Sequence, residues 1–176
     1  MTRVTPSGLV DATGAERQVD VLILSTGFQP TSFLKGIEVK GRDGRDIHDA
    51  WQGRPNAFMG ITVAGFPNFF ILYGPNSNLG SNSIIYMLES QIGYVMGALR
   101  ALEAEGLGWL DVRREADDAF ADWAQLASRK TVWETGCHNW YTGSSGRNTN
   151  NWPGYTFMYR HRVRRFDRAS YQASKA

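Results

Sequence analysis

Asp20-Val-Leu-Ile-Leu-Ser-Thr-Gly-Phe28 and Phe66-Pro-Asn-Phe-Phe-Ile-Leu-Tyr-Gly-Pro-Asn-Ser77 decide the fold class of this chain. Each is a short apolar run that stops abruptly in small, backbone-permissive residues. That is the pattern of a strand buried on both faces whose C-terminal end is delivered to a ligand. Val21 to Leu24 and Phe69 to Tyr73 are therefore expected as strands of an α/β protein with a few parallel strands. Gly27, lacking a Cβ, would let the backbone approach a ligand or a neighbouring strand closely.

Outward from these runs, Gly74 to Gly80 reads as a loop, and Ser81-Asn-Ser83 offers helix N-cap chemistry. Ile84, Leu88, Ile92, Val95, Leu99 and Leu102 follow at helical spacing, and Gly106 marks the stop. A second helix is expected through Ala116, Ala119, Phe120, Trp123 and Leu126 or Ala127, with Asp117-Asp118 solvated on its polar face, as Glu103 and Glu105 are on the first. Upstream, Thr5-Pro-Ser-Gly8 and Ala12-Thr-Gly-Ala15 are turn signals that make residues 1–19 a small antiparallel element. Residues 29–65 carry loop signals throughout, and Trp51, Phe58 and Met59 are the side chains expected to pin them to a core. Beyond Thr131 the pattern loosens into an aromatic- and glycine-rich region.

Composition narrows the function classes. The 176 residues suffice for one domain with a proper core but not for two full nucleotide-binding domains. A formal charge of +2 is too small to point to nucleic acid. The basic segment Arg160 to Arg168 reads as a solvated stretch, or as a contact for a phosphate or a partner segment. One cysteine, Cys137, excludes a disulfide framework, and no run reaches the ~20 apolar residues of a membrane span. With no signal-peptide pattern, a cytoplasmic location is the expectation. His48, His138 and His161 lie on separate segments without metal-ligand spacing, so no metal is expected.

The strand-turn-helix from Phe69 to Ile84 places open backbone N–H groups at a helix N-terminus, which attracts anionic or electron-rich ligand atoms. An ordinary capped helix would look the same. Trp140 and Tyr141 could wall a substrate pocket or stack on a nicotinamide, and could equally be core or interface anchors.

The ordered series of motifs resembles the class B flavoprotein monooxygenases, the flavin-containing and Baeyer–Villiger monooxygenases. Residues 20–28 resemble their Asp-x-x-x-x-Ala-Thr-Gly-Phe/Tyr segment, with Ser25 for the usual Ala, and residues 66–77 resemble their Pro-Asn-Leu-Phe…Gly-Pro segment. Cys137-His-Asn-Trp-Tyr141 followed by Trp152-Pro-Gly154 resembles the Ser-Trp-Tyr and Pro-Gly region, and Asn76 to Ile85 leans toward the Baeyer–Villiger branch. The resemblance implies an enzyme using FAD and NADPH to insert an oxygen atom into a ketone or to oxidise a soft heteroatom. It implies that Gly74 and Pro75 line the flavin, and that the backbone at Asn82, Ser83 and Ile84 faces its pyrimidine edge. Thr26 and Gly27 would sit where the NADP and FAD domains join, and Trp140 would lie on the segment that closes over bound NADP.

The family's Gly-x-Gly-x-x-Gly fingerprints and its Phe-x-Gly-x-x-x-His-x-x-x-Trp signature do not occur here. The expectation is thus the C-terminal portion of a two-dinucleotide-binding flavoprotein, arising as a fragment, a truncated reading frame or one piece of a split protein. Residues 1–28 would end the NADP domain and return to the FAD domain, 66–106 would be the FAD-domain strand-loop-helix, and 107–176 a helical, aromatic-rich region. Its partners would be a small-molecule substrate and an N-terminal chain, or further copies meeting through exposed apolar faces. The alternative is a non-catalytic interaction module of the same fold. A relative of the pyridine-nucleotide disulfide reductases fits less well, because it would need a paired-cysteine motif.

Overall fold

The computed structural model describes residues 1–134, 141–142 and 146–175. In chain order, β1 (Arg3–Thr5), β2 (Gly8–Val10) and β3 (Glu16–Gln18) form an antiparallel sheet. The short helix α1 (Ile47–Trp51) is followed by the long α2 (Ile84–Glu105), β4 (Leu107–Val112) and α3 (Arg114–Ser128). Helix α4 (Thr156–Val163) leads to β5 (Tyr171–Lys175), which pairs antiparallel with β4. The α/β class, the small antiparallel element and the two principal helices all match the sequence expectation.

Helix α2 begins where its cap chemistry dictates. The Ser83 hydroxyl accepts the N–H of Tyr86, and Gly106 closes the far end in the left-handed conformation that a C-terminal glycine adopts without penalty. Met87, Gln91, Tyr94 and Ala98 are buried against α4 and β4, forming a core with Leu110, Val112, Phe120, Tyr159, Val163 and Tyr171. Of the stripe that the spacing singled out, Val95 and Leu102 pack against this core. Ile84, Ile92 and Leu99 are exposed, and with Ile85 and Met96 they form a second apolar face that nothing in the described residues covers.

The two expected strands are not formed. Val21 to Leu24 run without regular structure at 38–80% exposure, and Phe69 to Tyr73 make no ladder. A strand exists only with a partner backbone, and no other described segment of this chain supplies one. Among the described residues the only parallel pairing is the bridge between Asn78 and Asn151, so the sheets here are antiparallel.

The long connection 29–65 is held as expected by Trp51 and Phe58, both 6% exposed, and by partly buried Met59. It is also tied by two buried carboxylates that sequence reading placed in solvent or overlooked. Asp111 on β4 accepts the N–H of Gly65 at 2.9 Å and Arg42 Nε at 3.0 Å. Asp117, expected to be solvated, is 3% exposed; it accepts the N–H of Ala64 and Asn56 Nδ2. The basic segment is likewise only partly solvated, since Arg162 lies over the Trp123 ring and Arg168 pairs with Glu105. No helix among the described residues is long and apolar enough to cross a membrane.

Candidate functional site

The turn from Tyr73 to Asn78 is the centre of the site, and its shape follows from its sequence. Tyr73 and Asn76 both take positive φ, 61° and 57°, the latter a conformation that asparagine tolerates better than most residues. Gly74 between them lies against another backbone: a Cβ there would stand 2.5 Å from the carbonyl oxygen of Gly60, so no other residue fits. Ser77 Oγ donates to the Gly74 carbonyl at 2.6 Å and closes the turn. Gly74 and Pro75 are thus buried support under the site.

Two clefts open on either side of Leu79. The first, about 420 Å³, is walled by Phe28, Phe33, Tyr73, Asn78, Tyr141 and Asn150. Burial pushes the Tyr73 phenol above its ordinary range, so it stays protonated, and it donates to Asn78 Oδ1. The second cleft, about 360 Å³, runs along Gly80, Ser81 and Asn82 to Trp133, Trp152 and Tyr155. It ends at the mouth of α2. There Asn82 Oδ1 accepts the N–H of Ser83 and Ser83 Oγ accepts that of Tyr86, which leaves the N–H groups of Ile84 and Ile85 open among the described residues.

The positions singled out from sequence fall into three groups. Tyr141 walls the first cleft and Asn82 the second, with Ser83 and Ile84 exposed at the helix mouth. Thr26 and Gly27 lie on the exposed, irregular stretch, and it is the next residue, Phe28, that reaches the cleft beside Tyr73. Trp140 lies outside the described residues. Sequence reading missed Phe28, Tyr73 and Asn78, and also the buried run Asn148-Thr-Asn-Asn151 that backs the turn. The signal was present in that run, since three asparagines in four residues beside Trp152-Pro-Gly154 are unusual. A roomier cavity of about 500 Å³ lies between α1 and its neighbouring loops, and one of about 380 Å³ runs along α3, both away from the helix mouth.

No protein-family model matches the chain. It is 44% identical over 170 residues to a Baeyer–Villiger monooxygenase of Pseudomonas aeruginosa, a match covering 96% of this chain and 32% of that protein. It is 36% identical to a FAD-binding monooxygenase of Aspergillus niger, over 92% of this chain and 27% of that one. The fold superposes with a TM-score of 0.82 on a crystal structure of cyclohexanone monooxygenase from Rhodococcus bound to NADP+, at 25% identity, covering 98% of this chain and 34% of that one.

The chain is homologous to the C-terminal third of Baeyer–Villiger-type flavoprotein monooxygenases. It spans about a third of the length of the curated relatives it matches and corresponds to the C-terminal part of the monooxygenase structures. FAD and NADPH are the cofactors of that family.

Proposed function

We propose that this chain is the part of a FAD- and NADPH-dependent monooxygenase that completes the flavin site and walls the substrate pocket, for oxygenation of ketones or soft heteroatoms. In this reading residues 1–28 end the NADP domain, 66–106 are the strand-loop-helix under the flavin, and 107–176 wall the pocket. The observation that carries it is the mouth of α2. A 22-residue helix opens two free N–H donors beside a cleft lined by Asn82 and aromatic rings.

The donor set fits one edge of a flavin. Open N–H groups at a helix N-terminus, with the roughly half positive charge of the helix dipole, suit the electron-rich pyrimidine edge of the ring. Ile84 and Ile85 would hold that edge and Asn82 would border it. The chain carries no glycine fingerprint for the pyrophosphate, so the rest of the cofactor must be held elsewhere. Bound FAD, reduced by NADPH, would supply the activation of dioxygen. The work of this chain's residues is binding and exclusion of water. Phe28, Phe33 and Tyr141 would provide apolar walls, and Tyr73, protonated and committed to Asn78, would present a fixed polar atom rather than a proton source.

The test is a graft. This chain replaces the matching C-terminal third of the Pseudomonas aeruginosa relative, and the purified graft is examined for its visible flavin spectrum and for NADPH consumption. Retained FAD with ketone-dependent oxidation supports the reading; a folded graft without flavin would overturn it.

A further inference from the structure

The strongest unassigned feature is a cluster of buried carboxamides behind the Tyr73–Asn78 turn. Asn76 is 2% exposed, and its Nδ2 donates to two backbone carbonyls, those of Asn148 at 2.9 Å and Asn151 at 3.2 Å. Its own N–H donates to the Thr149 carbonyl at 2.8 Å. Asn78 repeats the arrangement: its N–H donates to the Asn150 carbonyl and its Nδ2 to Asn151 Oδ1. In return, the N–H of Trp152 donates to the Asn78 carbonyl. Asn148 Oδ1 accepts the N–H groups of Asn150 and Asn151, fixing the shape of the loop itself.

The cluster reaches the cleft by a short path. Asn148, held by Asn76 and by Gln125 Nε2 from α3, is bridged in antiparallel fashion to Thr142. The next residue, Tyr141, stands in the first cleft with Phe28 and Tyr73, its ring packed edge-on to Trp133 at 5.0 Å. We propose that Asn76 is a positioning residue, whose carboxamide latches the 148–151 loop onto the turn and thereby sets where Tyr141 stands in the cleft. The functional consequence rests on the reading of that cleft given above; the latch itself does not.

The chemistry at position 76 separates the latch from the turn. Asn76 is in the left-handed region, so glycine keeps the backbone while deleting both side-chain donors. Aspartate keeps the shape but aims a carboxylate at two carbonyl oxygens, with no donor for either. Without that donor the Asn151 carbonyl loses its partner and the Asn148 carbonyl keeps only Gln125 Nε2, a costly loss that falls on the loop rather than the turn.

The test uses the chain itself in the Asn76→Gly and Asn76→Asp forms. Expected for Asn76→Gly is exchange at the amides of Asn148 to Trp152 faster by about tenfold or more, unchanged protection in α2, and loss of the Tyr141–Trp133 ring contact in NMR spectra. Asn76→Asp should exceed it in each respect. Unchanged exchange, or a persisting ring contact, overturns the proposal whether or not flavin binds. In the graft, Asn76→Gly should raise KM for ketone or nucleotide severalfold with FAD content and kcat little changed. An unchanged KM beside a displaced Tyr141 would refute the positioning role. A wild-type graft that takes no flavin defeats only the functional reading, because the ring contact in the chain alone still decides the latch.

Discussion

The carboxylate of Asp117, on α3, accepts the backbone N–H of Ala64 at 3.1 Å, joining residues 53 positions apart. Burial raises its pKa from 3.8 to about 6, against the opposing pull of the Ala64 N–H. The folded state therefore favours the protonated acid. Its contribution to stability is complete below pH 3.8 and is lost as pH rises to about 6, after which it is constant. The difference corresponds to about 3 kcal/mol at most. Asp117→Asn, which mimics the neutral acid, should lack this decline. Urea midpoints for both forms between pH 4 and 7 check it, and parallel curves would refute it.

Gly74→Ala should destabilise the chain by about 1–3 kcal/mol, the usual cost of forcing a group into a filled space. The added methyl would meet the Gly60 carbonyl at 2.5 Å, so the turn itself must shift. Thermal melts would show the loss, and amide shifts confined to residues 57–62 and 73–78 would locate it.

The opposite sign is expected on α2. Gly93 sits mid-helix with nothing within 4 Å of an added Cβ. Gly93→Ala should stabilise the chain by about 0.5–1 kcal/mol by removing backbone freedom from the unfolded state. A lowered melting temperature would show that the site is not open.

Exposed Ile92 and Met96 belong to the uncovered face of α2. Through it the isolated chain should self-associate at micromolar concentrations, and Ile92→Lys should weaken that association about 10- to 100-fold, the worth of one buried aliphatic side chain. The fold should be left intact, since Ile92 is outside the core. Sedimentation equilibrium with far-ultraviolet circular dichroism checks both halves of the expectation; association unaffected by the lysine would point to the 20–28 stretch instead.

Local chemistry was legible and distant pairing was not. Ser83 and Gly106 announce both ends of α2 because a cap acts on its own neighbours. Val21 to Leu24 carry the composition of a buried strand, yet a ladder requires a second backbone, which composition cannot reveal. Asp117 looks like any acidic residue on a helix until Ala64 is known to lie above it. The apolar spacing of α2 marks the helix but does not tell its core face from its exposed one: Val95 and Leu102 pack on the core while Ile84, Ile92 and Leu99 stay exposed. At the site, Tyr141 and Asn82 could be named from motifs. Asn76 acts through carbonyls 72 and 75 positions away and leaves no local trace.

That two-sided helix has a consequence for how the cofactor would be acquired. One side of α2 is already committed to a core made by this chain alone, so the helix mouth exists before any partner arrives. On the proposed reading, the edge of the flavin site that this chain supplies would be in place before the cofactor binds, so capture would carry no cost of folding α2.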